Sequence, residues 1–380
     1  MSDPRTALER LLGAASVETL EKPALPLASP ESESQLVEIV KLAAAERWTV
    51  LPVGLGSKLS WLPSSRGADF ALTTRRLTGI VAYEPGDGTM TARAGSRIAD
   101  LASATRAKGN QLTPCVPRPD RATLGGVLAA GQSGMDRLRH GPSRHHVLGM
   151  RVVLADGSVA KSGGRLVKNV TGYDLHRLYC GSQGTLCVIV EASMRLSAAP
   201  EGEVVLTANA RDRSDALEKA GAALALDLRP LCVRAENVLD SRNAWRVHVV
   251  LSGRSGFVDW ARRKALEAIP GAAEGRETIE RIRDAELAGG GWPSLRIAGR
   301  ISRFGPAMRT LAPDLRMVVE PSIAVAEILD ASNGTARALG DLGLEVTLRG
   351  SAVASPPGAA GDIARRLHDS LDPSGTLARL

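Results

Sequence analysis

The stretch Gly163-Gly164-Arg165-Leu166-Val167-Lys168-Asn169-Val170-Thr171-Gly172-Tyr173-Asp174, followed by Gly181-Ser182-Gln183-Gly184-Thr185-Leu186, gathers groups suited to holding a ligand closely. Glycine lacks a Cβ, so its N–H stands unshielded and its φ can turn positive. A loop built this way can press its backbone against a phosphate or a planar ring. Lys168, Asn169, Thr171 and Tyr173 add hydrogen-bonding side chains to the same window. The composition also suits a plain connector between strands, so other segments must decide between the two readings.

Two other segments share the property. Trp48-Thr49-Val50-Leu51-Pro52-Val53 reads as a short buried strand that runs into Gly54-Leu55-Gly56-Ser57-Lys58. A strand ending in a Gly-rich loop presents backbone N–H groups to a phosphate, with Ser57 and Lys58 to supplement them. Further on, Pro117 and Pro119 stiffen the approach to Ala122-Thr123-Leu124-Gly125-Gly126, where Thr123 is placed to cap a helix from Leu124 to Ala130. Gly125, Gly126, Gly131 and Gly134 let that segment lie against a flat ligand or another backbone. Together the three segments suit a long ligand carrying a pyrophosphate and a flat ring. FAD meets that description, although spacing alone does not name it.

The elements that must carry these segments are mixed. Leu36, Ile39, Val40 and Ala43 recur at helical spacing behind a start signal at Ser29-Pro30-Glu31-Ser32. Ala71 to Thr73, Ile80 to Tyr83 and Thr89 to Ala94 read as strands, and Ser96 as the cap of a helix through Leu101 to Lys108 that closes at Gly109. Asp156-Gly157 predicts a hairpin between Val147 to Leu154 and Val159 to Lys161. A short helix is expected between Tyr173 and Cys180, then a long strand from Leu186 to Leu196. After Ala198 to Gly202 the strands 204–207, 231–235 and 246–251 alternate with helices 214–225 and 256–268, which predicts a second, smaller sheet with helices on one side. Gly289-Gly290-Gly291-Trp292-Pro293 reads as a loop, and Ser355-Pro356-Pro357-Gly358 precedes a terminal helix from Asp362 to Leu371.

Several chemistries lose support. Gly54-Leu55-Gly56 matches only half of the G-x-G-x-x-G dinucleotide fingerprint, because position 59 is Leu59, and no G-x-x-x-x-G-K-[ST] element occurs. His140, His145 and His146 cluster without evident metal-ligand partners, so no metal is expected. The 48 Lys+Arg against 41 Asp+Glu give +7, which favours anionic ligands, but without a basic run or more than 3% aromatic residues a nucleic-acid surface is not expected. The four cysteines, Cys115, Cys180, Cys187 and Cys232, show no C-x-x-C spacing and suit buried thiols in a reducing compartment. Met1 to Arg5 is polar and no long apolar run follows, so neither a signal peptide nor a membrane span is expected. The 380 residues suit two domains.

Leu51 to Lys58, Ala122 to Gly126 and Gly181 to Ile189 resemble, in order and spacing, the successive signatures of the vanillyl-alcohol-oxidase superfamily with its PCMH-type FAD-binding domain. Within it, Lys168-Asn169-Val170-Thr171-Gly172-Tyr173-Asp174 is similar to the FAD-binding subunit of bacterial glycolate oxidase. The likeness is specific over about residues 25 to 196.

The resemblance implies an α+β fold: a two-lobed FAD-binding domain over 1–198, a smaller α+β cap domain over 199–355, and a tail over 356–380 returning to the first domain. It implies that Pro52, Val53, Gly54, Leu55, Gly56, Ser57 and Lys58 flank or hold the pyrophosphate. Pro117, Thr123, Leu124, Gly125, Gly126, Ser133 and Gly134 would line the flavin and phosphate cleft, and Gly184, Thr185, Val188 and Ile189 would add cofactor contacts. The pyrophosphate loop lacks the His or Cys of covalently flavinylated relatives, so non-covalent FAD is expected, with Cys115 and His140 the residual attachment candidates. Relatives that oxidise 2-hydroxy acids carry a His-rich metal site in the C-terminal half, where this chain has only His248 and His368. Asp372-Pro373-Ser374-Gly375-Thr376-Leu377 is similar to the family's closing motif.

The expected function is the FAD-binding subunit of a glycolate oxidase complex. Its partners would be a second flavin subunit and an iron–sulfur subunit, at a cytoplasmic location that the partners could bring to the membrane face. Its catalytic residues are unknown. A stand-alone oxidoreductase would need a substrate base, for which His140, Tyr173 and Arg303 are the candidates; a scaffold with a vestigial flavin site is the third reading.

Overall fold

Ser32 starts the first long helix, its Oγ accepting the Gln35 N–H at 3.2 Å. Glu33–Glu46 then buries Leu36, Ile39, Val40 and Ala43, positions i, i+3, i+4 and i+7 of one face. That face meets Val50, Phe70 and Leu72 of one sheet and Val153, Val188 and Val190 of another, so a single helix seals two sheets. The computed structural model describes residues 3–61, 67–165, 173–239, 244–288, 294–329, 331–342, 344–349 and 359–378. Lys168 to Gly172, Gly289 to Pro293 and Ser355 to Gly358 lie outside the described residues.

The fold is α+β. Its first sheet orders Val17–Leu20, Leu25–Ala28, Phe70–Thr73 and Val50–Val53; the first pair is antiparallel and the rest parallel. Its second orders Ile80–Glu84, Thr89–Arg93, Val188–Arg195, Val147–Val153 and Val159–Gly163, all antiparallel. The Asp156-Gly157 hairpin closes between the last two as the turn chemistry predicts, with Gly157 at φ 81°. After the terminal helix Ala359–Leu371, Asp372 accepts the Thr376 and Leu377 N–H groups at 2.8 Å each, and Leu377 bridges in parallel to Val50 of the first sheet.

Two expectations are corrected. Ser96 does not cap its helix: Ile98–Arg106 starts behind Arg97, and Ser96 Oγ instead accepts the Gly79 N–H at 2.9 Å. A tertiary partner outcompetes the local one. The later sheet is not the smaller one. It has eight antiparallel strands in the order Ala272–Glu274, Gly202–Asn209, Arg246–Gly253, Cys232–Glu236, Met317–Glu320, Val325–Ile328, Leu295–Ala298 and Glu345–Leu348.

One face of this sheet packs on helices. Val233, Ala235, Leu295, Ile297, Met317, Val319, Ala326 and Ile328 join Ala216 and Ala220 of Arg213–Ala225, Ala261 and Ala265 of Ser255–Ala268, Phe304 and Met308 of Ile301–Thr310, and Leu339 of Asn333–Asp341 in one core. Because strand side chains alternate, Arg234, Arg296, Glu320 and Glu327 fall on the opposite face. No helix of the described residues is long and apolar enough to cross a membrane.

Candidate functional site

The loop after Val50–Val53 and the helix Leu124–Ala129 meet at one point. Thr123 caps that helix by accepting the Gly126 N–H on Oγ1 at 3.2 Å. A Cβ on Gly54 would lie 2.2 Å from this Oγ1, so only glycine lets the two segments touch. Gly125 is equally constrained, since a Cβ there would sit 2.7 Å from Ala94 Cβ. Between the segments runs an open cleft of about 750 Å³, walled by residues 52–59, Trp61, Thr123, Gly125, Gly126, Ala129, Ala130 and the run Gln183, Gly184, Cys187, Val188, Ile189.

The cleft fits a ligand that is anionic at one end and flat at the other. Burial lowers Lys58 to about 8, with Glu286 opposing the shift, and among the described residues no carboxylate lies within ion-pair distance of its Nζ. A pyrophosphate beside it would restore its charged form. Gln183 is held at φ 54° by donating its N–H to Ala129 O at 2.7 Å, an unfavourable conformation for a residue with a Cβ. Its side-chain Oε1 is buried without a hydrogen-bond partner in the wall of the cleft. Such a group is satisfied by a donor on a bound molecule.

Trp61, Ala130 and Gln183 also border a second space, about 1070 Å³, between this cleft and the eight-stranded sheet. Its floor is the polar face of that sheet. Arg234 Nε donates to Glu320 Oε1 at 3.0 Å, and Arg296 Nη1 to Glu327 Oε1 at 2.8 Å. Arg349 Nη2 joins Glu327 at 3.1 Å while its guanidinium lies 4.4 Å from the centroid of the Trp61 ring, tying the sheet to the loop of the first lobe. Glu286 enters from the turn Ala285–Leu287; burial and then Glu327 raise its pKa to about 7, against Arg234 and Arg349.

Of the residues singled out in the sequence, Pro52, Val53, Gly54, Leu55, Gly56, Ser57, Lys58, Thr123, Gly125, Gly126, Gly184, Val188 and Ile189 converge on the first cleft. Pro117, Ser133 and Gly134 line the charged space instead. Leu124 and Thr185 line neither: Leu124 is buried in the core, and Thr185 Oγ1 donates to Ser182 O at 2.7 Å.

The candidates for attachment or proton transfer scatter. Tyr173 is 91% exposed. His140 borders neither space; burial lowers it to about 4, helped by Arg139, and its carbonyl takes a 2.8 Å bond from the His146 ring. Cys115 is packed beside Asp136 with its thiol pushed up to about 12 by burial. Arg303 lies at a third opening, with Arg137, Arg296, Arg300 and Glu345. Among the described residues no three His, Cys, Asp or Glu side chains are grouped to hold a metal ion.

Arg137, Arg234, Glu286, Arg296, Glu320, Glu327 and Arg349 were missed by sequence reasoning. A signal existed for five of them. In Val233-Arg234-Ala235, Leu295-Arg296-Ile297, Val319-Glu320, Ala326-Glu327-Ile328 and Leu348-Arg349, a charge stands at every second position of an otherwise apolar strand or at its end. Charges that alternate with core residues mark a sheet face turned to something other than bulk lipid-like core.

A family model described as an FAD binding domain matches residues 24–163. The chain is 31% identical over 255 residues to glycolate oxidase subunit GlcE of Escherichia coli strain K12, covering 66% of this chain and 68% of that protein. It is 30% identical over 180 residues to glycolate oxidase subunit GlcD of Bacillus subtilis strain 168, covering 47% of this chain but only 38% of that relative. In architecture it is similar to 4-ethylphenol oxidase from Gulosibacter chungangensis, with a TM-score of 0.76 over 99% of this chain and 95% of that one at 14% identity, a likeness of fold alone.

Proposed function

The chain belongs to the family of FAD-linked glycolate oxidase subunits, and from that premise we propose that it is the FAD-holding subunit of a complex that oxidises glycolate or a closely related 2-hydroxy acid. The observation that carries this reading is the continuity of the Gly54 to Lys58 cleft with the charged space over the eight-stranded sheet, through Trp61, Ala130 and Gln183. Bound FAD supplies reversible two-electron redox chemistry. In this reading the backbone of residues 54–58 and Lys58 Nζ hold the pyrophosphate, Thr123, Gly125, Gly126, Gly184, Val188 and Ile189 shape the walls, and Gln183 offers its free amide oxygen to a donor of the ring system. Attachment is non-covalent: Cys187 is the one thiol lining the cleft, and burial holds it protonated.

Relatives named as glycolate oxidase subunits support work beside a second flavin subunit and an iron–sulfur subunit, in the cytoplasm and, through those partners, at the membrane face. The test is to purify the chain alone and with co-expressed partners. We expect stoichiometric FAD released on acid precipitation, and anaerobic bleaching of the flavin by glycolate in the complex. Bleaching in the isolated chain would move the reading to a stand-alone oxidoreductase. A colourless protein that takes up no added FAD would overturn it.

A further inference from the structure

Four guanidinium groups, Arg137, Arg234, Arg296 and Arg349, face three carboxyls, Glu286, Glu320 and Glu327, across the charged space. Their pairing is uneven. Arg234 is taken up by Glu320 and by Ile282 O at 2.6 Å, whereas Arg296 and Arg349 share the single carboxylate of Glu327. Arg137 forms no ion pair with any described residue, and burial followed by the nearby Arg296 holds it below the ordinary guanidinium range. Among the described residues that line it, the space is therefore short of at least one negative charge, and short of two whenever Glu286 is neutral.

An opening to solvent continues from it. Arg137, Arg296, Ile323 and Val325 line both the charged space and an outer vestibule whose other walls are Ala298, Gly299, Arg300, Arg303 and Glu345. Arg300 and Arg303 are exposed at the start of the helix Ile301–Thr310. A mouth lined by arginines with one acidic residue raises the local concentration of small anions and speeds their entry.

We propose that this space is a carboxylate-binding chamber, entered past Arg303 and Arg300, in which Arg137 and Arg296 receive the carboxylate of a small 2-hydroxy acid. The proposal rests on the proposed function for the hydroxy acid and for the chamber's place beside the cofactor cleft; the carboxylate subsite itself rests on the arginines. A guanidinium presents two parallel N–H groups that match the two oxygens of a carboxylate, and Arg137 has these donors unused. A carboxylate there would relieve the repulsion between Arg137 and Arg296 and spare Glu327 from serving two arginines. Glu286 sets the pH dependence. Among the described residues, the charged groups facing it are Arg234, Arg296, Arg349, Glu320, Glu327 and, from the loop after Val50–Val53, Lys58. Its carboxyl is neutral below about 7 and anionic above, so the chamber attracts anions best on the acid side and loses affinity as pH rises.

The probe is oxalate, which has no C–H bond to lose, titrated into FAD-loaded protein and followed by the flavin absorbance change and by calorimetry. We expect saturable binding that weakens with added salt and weakens further from pH 6 to pH 8. Arg137→Met should weaken it roughly tenfold or more, with Arg137→Lys intermediate, at unchanged FAD content. Arg303→Met should slow association and flatten its salt dependence while leaving the dissociation rate. Glu286→Gln should abolish most of the decline with pH. Oxalate binding that is unaffected by Arg137→Met, or absent from FAD-loaded protein, would overturn the proposal. Arginine-dependent oxalate binding with a co-expressed complex that glycolate never bleaches would keep the chamber and remove the glycolate reading; glycolate bleaching of the complex with arginine-independent oxalate binding would do the reverse.

Discussion

Gly54→Ala is expected to strip FAD from the protein while leaving the fold intact. The new methyl would stand 2.2 Å from Thr123 Oγ1, well inside contact distance. Neither side can yield freely. The Gly54 carbonyl accepts the Thr73 hydroxyl at 2.8 Å, which pins the loop, and rotating Thr123 would remove the acceptor for the Gly126 N–H. Overpacking of this kind costs about 1–3 kcal/mol, and because both segments wall the cleft, the strain should appear as roughly 10- to 100-fold weaker FAD binding. Reconstitution of apoprotein with FAD, followed by fluorescence quenching, measures it. Adding Thr123→Ala removes the clashing oxygen and should recover most of the affinity at the loss of about 1 kcal/mol of helix capping. Wild-type loading by Gly54→Ala alone would show that the loop and the helix do not meet as described.

Arg234→Met should be the most destabilising substitution in the charged chamber, costing about 3–5 kcal/mol. Arg234 is 4% exposed and gives its donors to Glu320 and to the Ile282 carbonyl, so its removal leaves a carboxylate and a buried carbonyl without their partner. The double variant Arg234→Met with Glu320→Gln should be more stable than the single one, because an apolar or neutral pair avoids an uncompensated charge. Urea midpoints on FAD-loaded protein distinguish the cases. Equal loss in single and double variants would mean that Arg234 acts by its bulk rather than by its charge.

Much of the cleft beside Gly54 could be read from the chain itself because its determinants are local. A glycine at 54 or 125, a cap at Thr123 and a proline at 52 each carry a backbone requirement that residue type announces. Thirteen of the eighteen residues singled out fall on one cleft for that reason, and three more border the space beside it. Thr185 and Leu124 differ because, in a Gly-rich run, which neighbour turns inward depends on packing: Leu124 goes to the core and Thr185 to the Ser182 carbonyl. Ser96 shows the same limit at a helix start, where its hydroxyl goes to Gly79, seventeen residues away.

The charged chamber was hidden for a different reason. Its members come from strands 232–236, 295–298, 317–320 and 325–328, from Arg349 just past strand 345–348, from Arg137 on the helix Arg137–His140 and from the turn carrying Glu286. Single charges within such short strands look like ordinary exposed positions until the sheet order is known. That order places Met317–Glu320 beside both Cys232–Glu236 and Val325–Ile328, although it is remote in sequence from the former. The count of strands was equally out of reach, since eight short runs interrupted by helices do not declare that they join one sheet.

By itself, then, the amino-acid sequence determined a mixed α and β chain with three glycine segments shaped for a pyrophosphate and a flat ring, because backbone freedom and helix caps are properties of a few adjacent residues. Only the tertiary structure decided that these segments form one cleft, that it opens past Trp61 and Gln183 onto a chamber of four arginines and three glutamates, and that Arg137 makes no ion pair there with any described residue. Charge pairing across a sheet depends on strand order and register, and those are settled by the packing of the whole chain.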